Sequence, residues 1–151
     1  MPTFDLLTSR SDGRVTVLWI PLDRGLSFKP RHFLPCNRGR VLLLRLDPGT
    51  VFPRHRHTGE VHGLNIEGHR KLLDTGDIIG PGDYVYEPAG NVDSWMAIGP
   101  SPLTVFLSVW GAVETLDTSG QVIQSDDTVS MLETYLHYCD RNGLEPVNLS
   151  R

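Results

Sequence analysis

The chain has little cysteine, no concentrated basic region and no long apolar run. Its 151 residues include only two cysteines, Cys36 and Cys139, which are far apart and not in a CxxC spacing. Neither a disulfide framework nor a cysteine-based zinc site is therefore expected. The 14 Lys and Arg residues are scattered among 18 Asp and Glu residues, which gives a net charge of −4. Because a nucleic-acid surface needs clustered basic residues and a spanning helix needs about 20 apolar ones, we expect neither a nucleic-acid nor a membrane partner.

The N-terminal segment MPTFDLLTSR lacks the basic region and following apolar run of a secretion signal. Together with the two thiols, which we expect to be free, this predicts a cytoplasmic protein. With 39% apolar and 21% charged residues, a chain of this length can bury one core and is short for two domains. We expect a single domain that covers residues 1–151.

Short apolar segments separated by turn residues dominate the chain up to about residue 123. The segments, rich in β-branched and aromatic residues, are 15–20, 40–46, 61–68, 83–88, 92–98 and 103–110. Gly, Pro, Asn and Asp occupy the intervening turns, at a spacing typical of an all-β sandwich or barrel. The pattern predicts an all-β core over about residues 13–123.

The C-terminal part has the periodicity of a helix. Apolar side chains recur at helical spacing at Met131, Leu132, Tyr135, Leu136 and Cys139. The residues Asp126–Thr128 offer an N-cap, and Gly143 can adopt the left-handed conformation that follows many helices. One amphipathic helix is therefore predicted over about residues 127–142.

Three of the six histidines lie close together in PRHRHTGEVHG, residues 53–63. Side chains two apart in a strand share a face, so His55 and His57 can bind the same metal ion. His62 follows the turn at residues 58–60, which resets strand parity, so we expect it to face the same interior, as a ligand or as a hydrogen-bonding residue behind the ligands. The remaining histidines, His32, His69 and His137, are expected at the surface or in packing roles.

Two gapped motifs resemble those of the cupin superfamily. Residues 49–62, GTVFPRHRHTGEVH, resemble the first motif, in which Gly and five residues precede His-x-His. Residues 82–93, GDYVYEPAGNVD, resemble the second, in which Gly, five residues, Pro-x-Gly and two residues precede a His. The resemblance implies a double-stranded β-helix, or jelly roll, closed here by the C-terminal helix.

A narrower resemblance covers most of the chain. The stretches RHRHTGEVHG, GPGDYVYEPAG and DTSGQVI…MLETYLHYCDRNGL are similar to the 2,4'-dihydroxyacetophenone dioxygenase group of the ChrR-like cupins. This implies one divalent ion per chain, Fe(II) by preference, which with O2 cleaves a carbon–carbon bond beside a carbonyl. The implied substrate is a small hydroxy-ketone, aryl ketone or diketone.

The chain departs from the general cupin motifs at two positions. Asp93 stands where the second motif has His, and His62 stands where the first has Glu. Two histidines and one carboxylate form the facial triad of many non-haem Fe(II) oxygenases, so His55, His57 and Asp93 are the predicted triad. His62 then serves as a fourth ligand, or as the third if Asp93 does not reach the metal. The alternative is a site that has lost its metal.

Weaker candidates surround this predicted centre. Tyr84 and Tyr86 share one face of their strand and Glu87 lies on the other, and the sequence does not decide which face points inward. We assign acid–base work to His62 and Glu87, and substrate contact to Tyr84, Tyr86, Trp95, Trp110 and Arg54. Each of these residues is also typical of plain core packing or of a solvated strand end.

Three functions are compatible with these residues. The first is a mononuclear Fe(II) dioxygenase with a small-molecule substrate and O2. The second is a cupin with Zn²⁺, Mn²⁺ or Ni²⁺ that performs isomerisation, cyclisation, hydrolysis or lyase chemistry, favoured by the substitution at Asp93. The third is a small-ligand-binding cupin without catalysis. In each case we expect a homodimer or homotetramer.

Overall fold

A computed structural model describes residues 18–150 of the chain. The first residues of the predicted β core, 13–17, lie outside the described residues. The elements are β1 (Ile20–Asp23), β2 (Leu26–Phe33), β3 (Gly39–Leu46), β4 (Val51–His57), β5 (Val61–Glu67), β6 (His69–Leu72), β7 (Ile78–Ile79), β8 (Tyr84–Glu87), β9 (Val92–Ile98), β10 (Leu103–Trp110), β11 (Val113–Leu116), β12 (Val122–Asp126) and α1 (Thr128–Arg141).

The strands form two six-stranded sheets. One sheet has the order β1-β2-β3-β10-β5-β8 and the other has the order β12-β11-β4-β9-β6-β7. Strands distant in sequence are neighbours, as where β10 lies between β3 and β5, and these pairings are antiparallel. Two facing antiparallel sheets with such crossovers are the jelly-roll arrangement. The predicted all-β core, followed by one C-terminal helix, is confirmed.

Alternating side chains of the strands fill the space between the sheets. In β3, Leu42, Leu44 and Leu46 are buried on the face that packs against Trp95 and Ala97 of β9. Apolar burial of this kind contributes about 25 cal/mol per Å² of area removed from water. The two sheets therefore share one continuous core, and the cavity described below lies within it.

A β-bulge in β4 places its aromatic residue and its histidines on the same face. The pairing of β4 with β9 shifts register between Phe52 and His55. Because the bulge adds a residue, Phe52 and His55 both point inward although they are three positions apart, and their rings meet edge to face at 4.7 Å. Phe52 in turn stacks on Trp95, with ring centroids 4.9 Å apart. The position of His55 is therefore fixed by its contact with Phe52, which itself packs on Trp95 in the core.

Besides β4, five strands lie outside the apolar segments of the sequence, namely β2, β6, β7, β11 and β12. The sequence LSFKPRHF of β2 is interrupted by charged residues and a proline, and β6, HRKL, is mainly basic. In the structure, residues 69–72 form β6, with Arg70 only 3% exposed. Charged residues masked the strand pattern because the burial of Arg70 depends on neighbours that are remote in sequence.

The helix has the predicted ends. Its N-cap is Asp127, whose carboxylate accepts a hydrogen bond from the backbone of Ser130 while the Ser130 hydroxyl accepts one from the Asp127 backbone. Gly143 follows the helix with φ of 63°. Met131 and Tyr135 are buried against the sheets. Among the described residues, no helix has the length and hydropathy needed to cross a bilayer.

Candidate metal centre in the interior cavity

A cavity of about 90 Å³ lies between the two sheets. Its wall is mainly leucine, valine, phenylalanine and tryptophan side chains. Six ionisable residues also line it, namely Arg40, His55, His57, Arg70, Glu87 and Asp126. An apolar cavity with a few converging polar groups is the usual form of a small-molecule site.

The two histidines of β4 point at each other inside this cavity. Their Nε2 atoms are 3.1 Å apart, and His55 and His57 are 2% and 6% exposed. Two neighbouring ligands of one cation, each about 2.1 Å from it and near a right angle, have nitrogens about 3 Å apart. The predicted shared face of these residues is therefore realised with a separation that suits a metal ion.

The hydrogen bonds of the two imidazoles also fit a metal. His55 Nδ1 donates to the carbonyl of Pro53 at 2.7 Å, which leaves a lone pair on its Nε2. His57 Nδ1 is buried without a hydrogen-bond partner. If His57 carries its proton on Nδ1, two Nε2 lone pairs face each other, an arrangement that a cation between them stabilises.

Burial keeps both imidazoles neutral. Burial lowers the pKa of His55. Burial, followed by the charges of His55 and Arg40, lowers the pKa of His57 to about 3. Neutral imidazoles are the metal-binding form, so no proton has to leave before a metal binds near neutral pH.

Glu87 is the carboxylate nearest to this pair. Its Oε2 lies 3.6 Å from His57 Nε2, its Oε1 accepts a hydrogen bond from Asn91 at 2.9 Å, and the residue is 8% exposed. The inward face of β8 is thus that of Glu87. Among residues 18–150, no three His, Cys, Asp or Glu side chains form a complete metal-binding group. His55, His57 and Glu87 make an incomplete one.

Asp93 lies beside this group on β9. It is the cross-strand partner of His55, and its carboxyl lies beside that of Glu87, to which it can donate a hydrogen bond when it is protonated. Burial and the adjacent Glu87 charge raise the pKa of Asp93 to about 6. The structure thus brings Asp93 next to the histidines, but it is Glu87 and not Asp93 that lines the cavity.

His62 does not face the interior. In β5 the buried residues are Val61 and Gly63, so His62 between them points to the outer face of the sheet. There its Nδ1 is hydrogen-bonded to the hydroxyl of Tyr84, and its Nε2 lies 3.5 Å from Glu60. The expectation that His62 shares the interior with the other histidines is corrected, because the turn before β5 leaves Val61 as the inward residue.

The remaining candidates divide between the cavity and the surface. Trp95 lines the cavity. Tyr84 and Tyr86 are 61% and 50% exposed on the outer face, and Arg54 pairs with Asp74 at the surface. Trp110 is half-buried at the end of β10 and is not among the residues that line the cavity. The structure therefore places these four candidates, Tyr84, Tyr86, Arg54 and Trp110, away from the cavity that holds the histidines.

Two buried arginines were missed by the sequence interpretation. Arg40 and Arg70 are each 3% exposed and line the cavity. The guanidinium of Arg70 lies over the ring of Trp95, 4.7 Å from its centroid. In β3 the signal was available, since Arg40 has the parity of Leu42 and Leu44. No local signal marks Arg70.

Comparison with known proteins agrees with this architecture. A crystallised RmlC-like cupin protein from Ralstonia eutropha JMP134 is 26% identical, with 89% of each chain covered and a TM-score of 0.83. An acetylacetone dioxygenase from Acinetobacter johnsonii is 18% identical, with 81% of this chain and 86% of that one covered and a TM-score of 0.71.

A more distant neighbour is the Rhodobacter sphaeroides SigE complex with the anti-sigma ChrR. It is 21% identical, with 72% of this chain and 56% of that one covered and a TM-score of 0.56. At 18% and 21% identity, the Acinetobacter johnsonii and Rhodobacter sphaeroides structures show the fold alone. No curated protein matches the chain.

The family model described as the ChrR cupin-like domain matches residues 12–109, which span β1 to most of β10 and include His55, His57 and Glu87 of the cavity. The chain belongs to the ChrR cupin-like family.

Proposed function

We propose that this protein is a mononuclear metal-dependent cupin enzyme, and specifically an Fe(II) dioxygenase that cleaves a carbon–carbon bond beside a carbonyl in a small diketone or hydroxy-ketone. The observation that carries the proposal is the pair of neutral imidazoles, with Nε2 atoms 3.1 Å apart in a mainly apolar cavity between the sheets.

The residues that would hold the metal are His55, His57 and Glu87. Two imidazoles and one carboxylate match the donor set of many non-haem Fe(II) oxygenases. Asp93, which the sequence places in the triad, lies beside Glu87 and in its protonated form would donate a hydrogen bond that orients that carboxylate. When bound, a ferrous ion supplies Lewis acidity and a redox-active centre that reacts with O2.

The size of the cavity restricts the substrate. A water molecule needs about 10–15 Å³ of such space, so a cavity of about 90 Å³ has room for several waters and admits a small ligand such as an acyclic diketone of about seven non-hydrogen atoms. The Acinetobacter johnsonii neighbour is named for acetylacetone, a diketone of this kind.

The carboxyl pair provides proton transfer. With its pKa at about 6, Asp93 is protonated below that pH and is negatively charged beside Glu87 above it. In the charged form the pair can accept a proton from the acidic carbon between two carbonyls. The apolar wall excludes water from the resulting enolate.

The test combines metal analysis with oxygen uptake. Protein purified anaerobically and loaded with Fe(II) should consume O2 with acetylacetone. We expect His55→Ala and Glu87→Gln to lower the metal content of the purified protein, and Asp93→Asn to weaken metal affinity by about 10- to 100-fold, as loss of a residue that orients a ligand does.

Two outcomes would count against this assignment. Full metal content in Glu87→Gln with complete loss in Asp93→Asn would make Asp93 the ligand, as the sequence predicts. No oxygen uptake across acyclic diketones and hydroxy-ketones would refute the dioxygenase.

A second function is favoured by the same carboxyl pair. A group that exchanges a proton near pH 6 suits enolisation and isomerisation, which need no O2. Turnover of the ketone under argon by protein that contains zinc would select this function.

A further inference from the structure

Arg40 is a buried cation at the side of the cavity away from Glu87. Arg40 on β3 is the cross-strand partner of Val109 on β10. Val109 in turn pairs with Val61 on β5, and Val61 pairs with Glu87 on β8. Three strand spacings of about 4.8 Å put the Cα atoms of Arg40 and Glu87 about 14 Å apart. Both side chains line the same cavity, so its two sides differ in charge.

Among residues 18–150, the acceptors of the Arg40 guanidinium are backbone carbonyls. Nη1 donates to the carbonyl of Gly111 at 3.1 Å and Nη2 to the carbonyl of Asp126 at 3.4 Å, while Nε has no acceptor. Arginine has five N–H donors, so donors remain after these two bonds. Within residues 18–150, no carboxylate lies within salt-bridge distance of Arg40.

The nearest carboxylates are already engaged. Asp126 accepts a hydrogen bond from the side chain of Gln124 at 2.8 Å, and Asp127 caps the helix. They act on Arg40 only at longer range. Burial lowers the pKa of Arg40 to about 10, so the side chain is still charged at neutral pH.

The other buried arginine is differently placed. Arg70 stacks on Trp95 and has the charges of Glu87 and Asp93 nearby. Among residues 18–150, no aromatic ring lies against the guanidinium of Arg40 and no carboxylate forms a salt bridge with it, although Asp126 lines the same cavity. Because an unpaired buried charge is costly, the position of Arg40 is explained if a bound ligand supplies the anion.

We propose that Arg40 binds a carboxylate of the substrate, so that the preferred substrate within the diketone class is a small dioxo acid, which binds more tightly than a neutral diketone. This inference rests on the proposed function for the ketone end of the molecule. The carbonyl groups would lie toward the histidines and Glu87, and the acid group toward Arg40. Arginine suits this role because its planar N–H groups match a carboxylate.

The experiment compares two probes of nearly equal shape, 2,4-dioxopentanoate and its neutral primary amide. Calorimetric titration of the purified protein under argon measures binding without turnover. A charge-assisted hydrogen bond predicts a Kd for the acid about 10- to 150-fold below that for the amide. In Arg40→Gln the two Kd values should differ by less than about threefold.

Arg70→Gln is the matched control, since it removes the other buried guanidinium, and it should retain the preference for the acid. Comparing the acid-to-amide ratio between variants cancels any contribution from a metal ion, which is the same in each. Thermal melting of each variant checks that it is folded. If Arg40→Gln does not fold, Arg40→Lys, which keeps the charge but not the planar fork, should lower the ratio.

Equal Kd values for acid and amide in the unsubstituted protein would overturn the inference, as would absence of binding by the acid. A ratio that persists in Arg40→Gln or Arg40→Lys, or that disappears in Arg70→Gln, would also overturn it. Acid binding that depends on Arg40 but leads to no oxygen uptake would leave this inference standing and refute the dioxygenase.

Discussion

The N-cap of α1 is expected to stabilise both the helix and the closure of the cavity. Asp127 Oδ1 accepts a hydrogen bond from the Ser130 backbone at 2.8 Å, and its Oδ2 accepts one from Asn37 at 3.1 Å. Asn37 also accepts a hydrogen bond from the backbone of Val129 at 2.9 Å, which ties the helix start to the turn between β2 and β3. One turn further on, Met131 lines the cavity.

Replacing this cap should cost about 2 kcal/mol in the free energy of unfolding. Loss of an N-cap costs about 1 kcal/mol, and loss of the hydrogen bond from Asn37 costs about 1 kcal/mol more. For a chain of this size, Asp127→Ala should therefore lower the melting temperature by about 4 to 8 °C. Asp127→Asn, which keeps an acceptor at the cap, should lower it by less than half as much.

The pH dependence of this effect has a defined sign. The hydrogen bond from the Ser130 backbone, followed by that from Asn37, lowers the pKa of Asp127. A carboxyl whose pKa is lowered on folding stabilises the protein above its ordinary value of about 3.9, and loses this contribution as pH falls through the folded value. The advantage of the native protein over Asp127→Asn should thus be constant near neutrality and decline in acid.

Thermal unfolding followed by circular dichroism at 222 nm measures these differences. An Asp127→Ala variant that melts within about 1 °C of the native protein at pH 7 would refute the assigned contribution of the cap. A gap between Asp127→Asn and the native protein that widens as pH falls would refute the sign.

Two further outcomes follow from burial and strand facing. Because His62 lies on the outer face, His62→Ala should leave the metal content of the purified protein unchanged, whereas His55→Ala should lower it. Equal losses of metal in the two variants, measured by elemental analysis, would place His62 in the metal site. Cys36 is exposed, whereas Cys139 is 3% exposed and its pKa is raised by burial. Ellman's reagent should therefore titrate one thiol in the folded protein and two in denaturant. Rapid reaction of both thiols without denaturant would contradict the buried position of Cys139.

Local sequence was sufficient for several features. The two-residue period of a strand predicts that His55 and His57 share a face, and the structure places their Nε2 atoms 3.1 Å apart. The helix and its caps follow from the 3.6-residue period, the acidic N-cap and Gly143. These features depend on residues close in the chain, so the sequence carries the necessary information.

Which face of a strand points inward was decided only by the tertiary structure. In β8 the faces of Glu87 and Tyr84 are equally acceptable locally, and pairing with β5 turns Glu87 to the cavity. In β5 the same register turns His62 outward. Arg40 and Arg70 are buried because cross-strand neighbours cover them. The sequence by itself thus determined the fold and the pair of imidazoles. The positions of Glu87, Arg40 and Arg70 around that pair depend on registers between strands that are remote in sequence, which no local period encodes.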